Sequence, residues 1–148
     1  MHNLDYSIMH LIHRAAQGTD ALFGKRSDDL TPRQFVVLDT IQRMGAVSQV
    51  ELVRTTGIDR STMSDMIFRL MKKNLVRRRR SSSDARAYRV TLTEQAQALL
   101  DELRAKVEEV DRIILNTLPE RERKSFVRGL HVLAESVVAG ESITFRVD

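Results

Sequence analysis

The segment SQVELVRTTGIDRSTMSDMIFRLMKKN, residues 48–74, contains two helix starts and two helix stops in close succession. Ser48 followed by Glu51 is a capping box, in which side chain and backbone at a helix start satisfy each other's hydrogen bonds. Gly57 stops that helix after about two turns. Asp59 is a good N-cap for a second helix. There Met63, Met66, Ile67 and Leu70 recur at i, i+3, i+4 and i+7 and make one inward stripe. The other side shows Ser61, Thr62, Asp65, Arg69, Lys72 and Lys73, and Asn74 tolerates the left-handed conformation that ends a helix. A short helix, a tight glycine turn and a longer helix with a hydroxyl-rich leading end describe a helix-turn-helix.

The flanks extend the pattern. Residues 4–23 set Leu4, Ile8, Leu11, Ile12 and Ala15 at helical spacing. TPRQFVVLDTIQRMG opens with Thr31 as N-cap, Pro32 at the first helical position and Gln34 closing a second capping box, and Gly45 ends it. Downstream, LVRRRR and RAYRVTLT are separated by SSSDA, which is turn chemistry. The second run alternates, with Tyr88, Val90 and Leu92 on one face and Arg89 and Thr91 on the other, so the two runs predict a β-hairpin. Arg77 to Arg80 then form the first arm of a wing, a phosphate-facing surface and not a targeting tag. Strand alternation lets only about half of them face one way.

From Thr93 a helix of about six turns places Leu99, Leu103, Val107, Val110 and Ile114 on one side, and Pro119 starts a last helix striped with Phe126, Leu130, Leu133 and Val137. The expected fold is mainly α with a small β-hairpin. A winged helix-turn-helix domain spans 31–92, a long connecting helix 93–115, and dimerisation helices lie at 1–30 and 116–148. The outer helices carry more apolar stripe than a small winged domain can cover, so a homodimer is expected.

Charge narrows the partner. The chain carries a net +4, but residues 54–89 hold eleven basic and three acidic side chains, which leaves the remainder acidic. A basic centre between acidic flanks is the electrostatic footprint of a nucleic-acid surface. The absence of cysteine excludes disulfides, thiolate catalysis and Cys-based zinc sites. No apolar run approaches the ~20 residues of a membrane span, and the N-terminus does not read as a signal peptide. A soluble, cytoplasmic chain with no membrane partner is expected. There is no P-loop, no Gly-x-Ser-x-Gly and no His-Glu-x-x-His, so neither catalysis nor a cofactor is expected. His10 and His13, with His2 and His131, have spacing that zinc can use, yet no carboxylate completes a set, and no metal site is assigned. A metal-responsive DNA-binding regulator and a non-specific nucleic-acid-binding protein are the rival readings.

LVRRRRSSSDARAYRVTLTEQAQALL resembles the signature of the MarR family of bacterial transcription regulators: Leu-Val-x-Arg, a variable tip, Asp-x-Arg, a second strand, then Leu-Thr and a helix. Asp84 and Arg86 supply the Asp-x-Arg element. IDRSTMSDMIFRLMKKNLV is similar to the family's recognition helix, and LTPRQFVVL to the start of its second helix. Ala85 stands where a second arginine is frequent, and Asn74 and Ala96 where glycine is common. Arg79 and Arg80 make the strand more basic than usual, which adds phosphate affinity without adding sequence preference.

The resemblance implies a dimer that sets two recognition helices in successive major grooves of a palindromic operator, most often as a repressor. Ser61, Thr62, Ser64 and Asp65 are then the candidates for base edges, since hydroxyls donate or accept and a carboxylate suits the cytosine amino group. Two local alternatives stand beside this: Ser61 and Thr62 as helix caps, and Asp65 as a partner of Arg69. Arg60, Arg69, Lys72, Lys73, Arg77 and Arg79 are candidates for phosphate, with Gln49 at a helix N-terminus. Arg86 would enter the minor groove, oriented by Asp84. The family also implies release by a small aromatic or phenolic effector. His10, His13, Arg14, Phe35 and Met44 are its candidate contacts, with packing at a dimer interface as the alternative role.

Overall fold

The computed structural model describes residues 7–25, 30–84 and 87–138. The chain divides into two compact units, Met1–Asp111 and Arg112–Asp148. The elements run α1 (Ile8–Gly24), α2 (Pro32–Met44), α3 (Gln49–Thr56), α4 (Arg60–Lys72), β1 (Val76–Arg80), β2 (Tyr88–Leu92), α5 (Glu94–Asn116) and α6 (Glu120–Val138). The mainly helical fold with one hairpin is as expected. No helix among the described residues is long and apolar enough to cross a membrane.

Local chemistry starts and stops these helices. At α2 the Gln34 amide donates to Thr31 Oγ1 at 3.2 Å and the Thr31 amide donates to Gln34 Oε1 at 3.1 Å. The same box recurs at α3 between Ser48 and Glu51. Gly57 ends α3 at φ 71°, ψ 4°, its N–H donating to the Val53 carbonyl, a left-handed conformation glycine adopts without a Cβ penalty. Asn74 takes φ 57° after α4, the only positive φ at a non-glycine among the described residues.

The core of the first unit joins Val37, Leu38 and Ile41 of α2, Leu52 of α3, Met63, Ile67 and Leu70 of α4, Val47, Val90, and Leu100 and Leu103 of α5. The α4 stripe is buried as its spacing predicts. In α5 the buried line passes through Ala96, Leu100, Leu103 and Val110, and the expected Leu99 is only half-buried. Two adjacent leucines satisfy helical periodicity about equally, and inclusion in the common core selects Leu100. Arg104 ties α5 to α2 by donating to Asp39 Oδ1 at 3.0 Å and to Gln42 Oε1.

The hairpin is antiparallel, with Val76 opposite Leu92, Arg78 opposite Val90 and Arg80 opposite Tyr88. Val47, between α2 and α3, adds a one-residue bridge to Val90, with N···O distances of 3.1 and 2.7 Å. No periodicity announces a single paired residue, so the bridge is not legible in the sequence. Thr93 joins hairpin and helix: its hydroxyl donates to the Asn74 carbonyl at 2.8 Å and accepts from the Ala96 amide at 3.1 Å. In the outer helices, Ile8 (73% exposed), Met9, Leu11 and Ile12 of α1, and Phe126, Val127, Leu130, Val132 and Leu133 of α6, all lie open.

Candidate nucleic-acid interface

α4 is presented by its neighbours. α3 and the Gly57 turn hold its start, and Asp59 fixes the first turn by accepting from the Thr62 amide at 2.9 Å. The Thr62 hydroxyl also donates to Asp59 at 2.6 Å. These bonds, the Thr62 hydroxyl first, hold the Asp59 carboxyl below its ordinary value. Glu51 is likewise lowered, first by the Ser48 amide, then by the Ser48 hydroxyl, with Arg89 a smaller cause. Both carboxylates therefore stay ionised and anchor the two helix starts.

With its apolar stripe inward, α4 turns Arg60, Ser61, Ser64, Asp65, Phe68, Arg69 and Lys72 to solvent. Thr62 is half-buried, and its hydroxyl hydrogen is engaged in the cap. Among the described residues no ion pair joins Asp65 to Arg69; both side chains are exposed. Lys73, just past the helix end, is exposed as well.

The wing sorts its arginines by face. Arg78 and Arg80 share a face with the buried Val76 and Val90 but project beyond the core, where both guanidiniums lie over the Tyr88 ring, at 5.6 and 6.0 Å from its centroid. Arg77 and Arg79 occupy the other face, opposite Thr91 and Arg89. Arg77 and Arg79 are exposed, and neither forms an ion pair among the described residues. Arg89 instead serves the fold. It donates to the Ala46 carbonyl at 2.9 Å and lies 3.5 Å from Glu51, fastening the wing to α3. Gln49 accepts from Arg78 at 3.4 Å, a second tie between α3 and the strand. Asp84 is exposed in the turn, its carbonyl accepting from the Ala87 amide. Arg86 lies outside the described residues. Sequence reasoning singles out neither Phe68 nor Arg89; an aromatic on the polar side of an amphipathic helix is the signal that marks the first.

The residues expected around an effector are not gathered within one chain. Phe35 packs on Phe23 at the end of α1, with ring centroids 6.4 Å apart. His10 lies thirteen residues earlier on α1, about 20 Å along a helix. Met44 sits at the far end of α2, where its sulfur receives the Thr55 hydroxyl at 3.8 Å. Phe23 instead lines an open cleft of about 740 Å³ with Asp20, Thr31, Gln34, Arg69, Lys72 and Lys73. His13 and Arg14 are exposed on α1. Among the described residues no cluster of three or more His, Asp or Glu side chains is arranged to hold a metal ion. His131 lies 3.2 Å from Glu135, and His2 is outside the described residues.

A helix-turn-helix followed at once by a basic two-stranded wing defines a winged-helix DNA-binding regulator. Residues 30–88 match the MarR family. Over 129 residues the chain is 31% identical to the HTH-type transcriptional repressor NicR of Pseudomonas putida, covering 86% of this chain and 82% of NicR. The chain belongs to the MarR family of transcription regulators. It is similar in structure to BpsR of Bordetella bronchiseptica, whose DNA binding is regulated by 6-hydroxynicotinic acid. The identity is 31% and the TM-score 0.85, over 90% of this chain and 97% of BpsR. It is also similar to a MarR mutant from E. coli complexed with operator DNA, at 27% identity and TM-score 0.75, over 88% and 92% of the two chains.

Proposed function

We propose that the protein is a homodimeric repressor that reads a palindromic operator with α4, grips phosphates with the wing, and is released by a small aromatic carboxylic acid. The observation that carries the DNA reading is the outward polar face of α4 beside Arg77 and Arg79, which form no ion pair among the described residues. Ser61, Ser64 and Asp65 reach base edges. Arg60, Arg69, Lys72, Lys73, Arg77 and Arg79 meet phosphates, and Gln49 adds a contact from the start of α3. Thr62 divides its hydroxyl between cap and base, accepting while it donates to Asp59. Arg86, assigned by the family resemblance, enters the minor groove, with Asp84 beside it.

The apolar side chains left open on α1 and α6 support the homodimer, because exposed apolar area of that extent is stabilised by covering it. The domain roles follow: residues 1–30 and 116–148 join the two copies, 31–92 bind DNA, and 93–115 connect them. Two α4 helices then face half-sites about 34–36 Å apart.

The effector class follows from the likeness to BpsR and from the cleft beside Phe23, where Arg69, Lys72 and Lys73 outnumber Asp20 around an aromatic ring. Two of those cations, Arg69 and Lys72, belong to α4, so a carboxylate held there competes with the phosphates they would otherwise contact. Phe35 backs Phe23. His10, His13 and Arg14 lie beside the open apolar residues of α1, where a ligand would sit at the contact between copies. Met44 is a candidate remote from both groups.

Selection of bound sequences from random duplexes, followed by footprinting, tests the proposal. A symmetric site protected by a dimer, and released by 6-hydroxynicotinate or a related aromatic acid, is expected. A monomer in sedimentation at micromolar concentration, or equal binding to all duplexes, would refute it.

A further inference from the structure

We propose that Phe68 is a base-reading residue whose ring packs on the C5-methyl group of a thymine in each operator half-site. The inference rests on α4 entering the major groove and adds an apolar contact to a face otherwise polar. Phe68 is 57% exposed, the one described phenylalanine in the first unit that is neither buried nor half-buried. Ser61, Asp65, Phe68 and Lys72 recur at i, i+4, i+7 and i+11, so the ring stands in the middle of the line opposite the buried Met63, Met66 and Leu70. A ring left in water at that position forgoes the gain that burial brings. Its surroundings narrow what it can contact. Met71 is the other large apolar side chain exposed on α4, at 39%, and lies on the flank of the helix. The rest of the face is hydroxyl, carboxylate and cation, too polar for the apolar surface of another protein. A base-pair edge in the major groove offers polar atoms and a single apolar group, the thymine methyl.

Lys72 completes the device. Its ammonium stands 4.5 Å from the centroid of the Phe68 ring, a cation–π contact that favours this placement of the ring. The same ammonium remains available to a phosphate. Phe68 lies seven residues beyond Ser61, about 10 Å along the helix axis. The thymine therefore falls within about three base-pair steps, at 3.4 Å each, of the pair that faces Ser61.

The test replaces each operator thymine in turn by uracil, which deletes one methyl group and leaves base pairing intact. The probe is the selected operator, titrated with the full-length protein. Wild-type protein should lose about three- to fivefold in affinity at one thymine per half-site. Phe68→Ala should bind more weakly and show no loss at that position, whereas Phe68→Leu should keep part of it. Because Phe68 is exposed, both variants should retain the wild-type melting temperature. Selective operator binding with no thymine coupled to Phe68 overturns the proposal while leaving α4 as the reading helix. A change in oligomeric state on Phe68→Ala, with DNA affinity unaltered, overturns it in favour of a contact between proteins. Absence of any sequence preference refutes the underlying DNA reading, and this proposal with it.

Discussion

Replacing Arg79 by alanine separates grip from recognition. Arg79 is exposed, lies on the hairpin face opposite the buried Val76 and Val90 and has no ionic partner among the described residues, so its charge is available to a phosphate. Each phosphate neutralised adds about 0.9 to the slope of log affinity against log salt on B-form DNA. The proposed dimer carries two copies, so Arg79→Ala should lower that slope by about 1.8. Between 50 and 200 mM salt the variant should accordingly lose about twelvefold less affinity than the wild type. The measurement is a binding titration at four or five salt concentrations, on the operator and on a random duplex of equal length. The slope change should be the same on both, because a phosphate contact carries no sequence information. Arg89→Ala is the matched control. Its guanidinium is held by the Ala46 carbonyl and Glu51, so its removal should loosen the wing and change the slope less. An unaltered slope for Arg79→Ala, or a loss confined to the operator, would show that the wing does not act as a phosphate grip.

Arg86→Ala should weaken operator binding at least tenfold while the proposed dimer sediments unchanged; equal affinity would remove the wing tip from the interface. Thr93→Val keeps the shape but deletes the hydroxyl that caps α5 and bonds the Asn74 carbonyl, leaving the amide of fully buried Ala96 without its acceptor. It should cost about 2 kcal/mol, read as a lower urea midpoint at unchanged m and fixed protomer concentration; a shift under about 0.5 kcal/mol would contradict the capping role. The lowered carboxyls of Glu51 and Asp59 set an acid limit. Their stabilisation is complete above the ordinary values of 4.5 and 3.8 and is lost as pH falls through the lower folded-state values. Glu51→Gln should therefore flatten the fall in melting temperature below pH 4.5, and an unchanged profile would argue against it.

Much of this molecule is written locally. The boxes Thr31–Gln34 and Ser48–Glu51, the Asp59 cap, the Gly57 and Asn74 stops and the α4 stripe each depend on residues within a few positions of one another. The same physics that forms them in the fold can be read from spacing alone. So can the hairpin, from an alternating second run placed behind a turn and a basic first arm. The concentration of positive charge between residues 54 and 89 is likewise a property of the chain.

What spacing does not specify is which of several equivalent choices the packing selects. Leu99 and Leu100 are both apolar and adjacent, and only the assembled core buries the second fully while the first packs at its edge. Val47 pairs with Val90 across 43 positions of the sequence, and a bridge one residue long leaves no pattern. Among the wing arginines charge is identical. The strand register alone sends Arg77 and Arg79 one way and Arg78 and Arg80 the other, while the distant Ala46 and Glu51 take Arg89 for the fold. The expected effector residues spread along α1 and α2 because helix length fixes their separation, and the cleft beside Phe23 gathers cations from α4 that no linear spacing associates with it. Hydrogen bonds that close over three or four residues are determined by sequence; contacts between elements far apart in the chain are decided by how their faces pack.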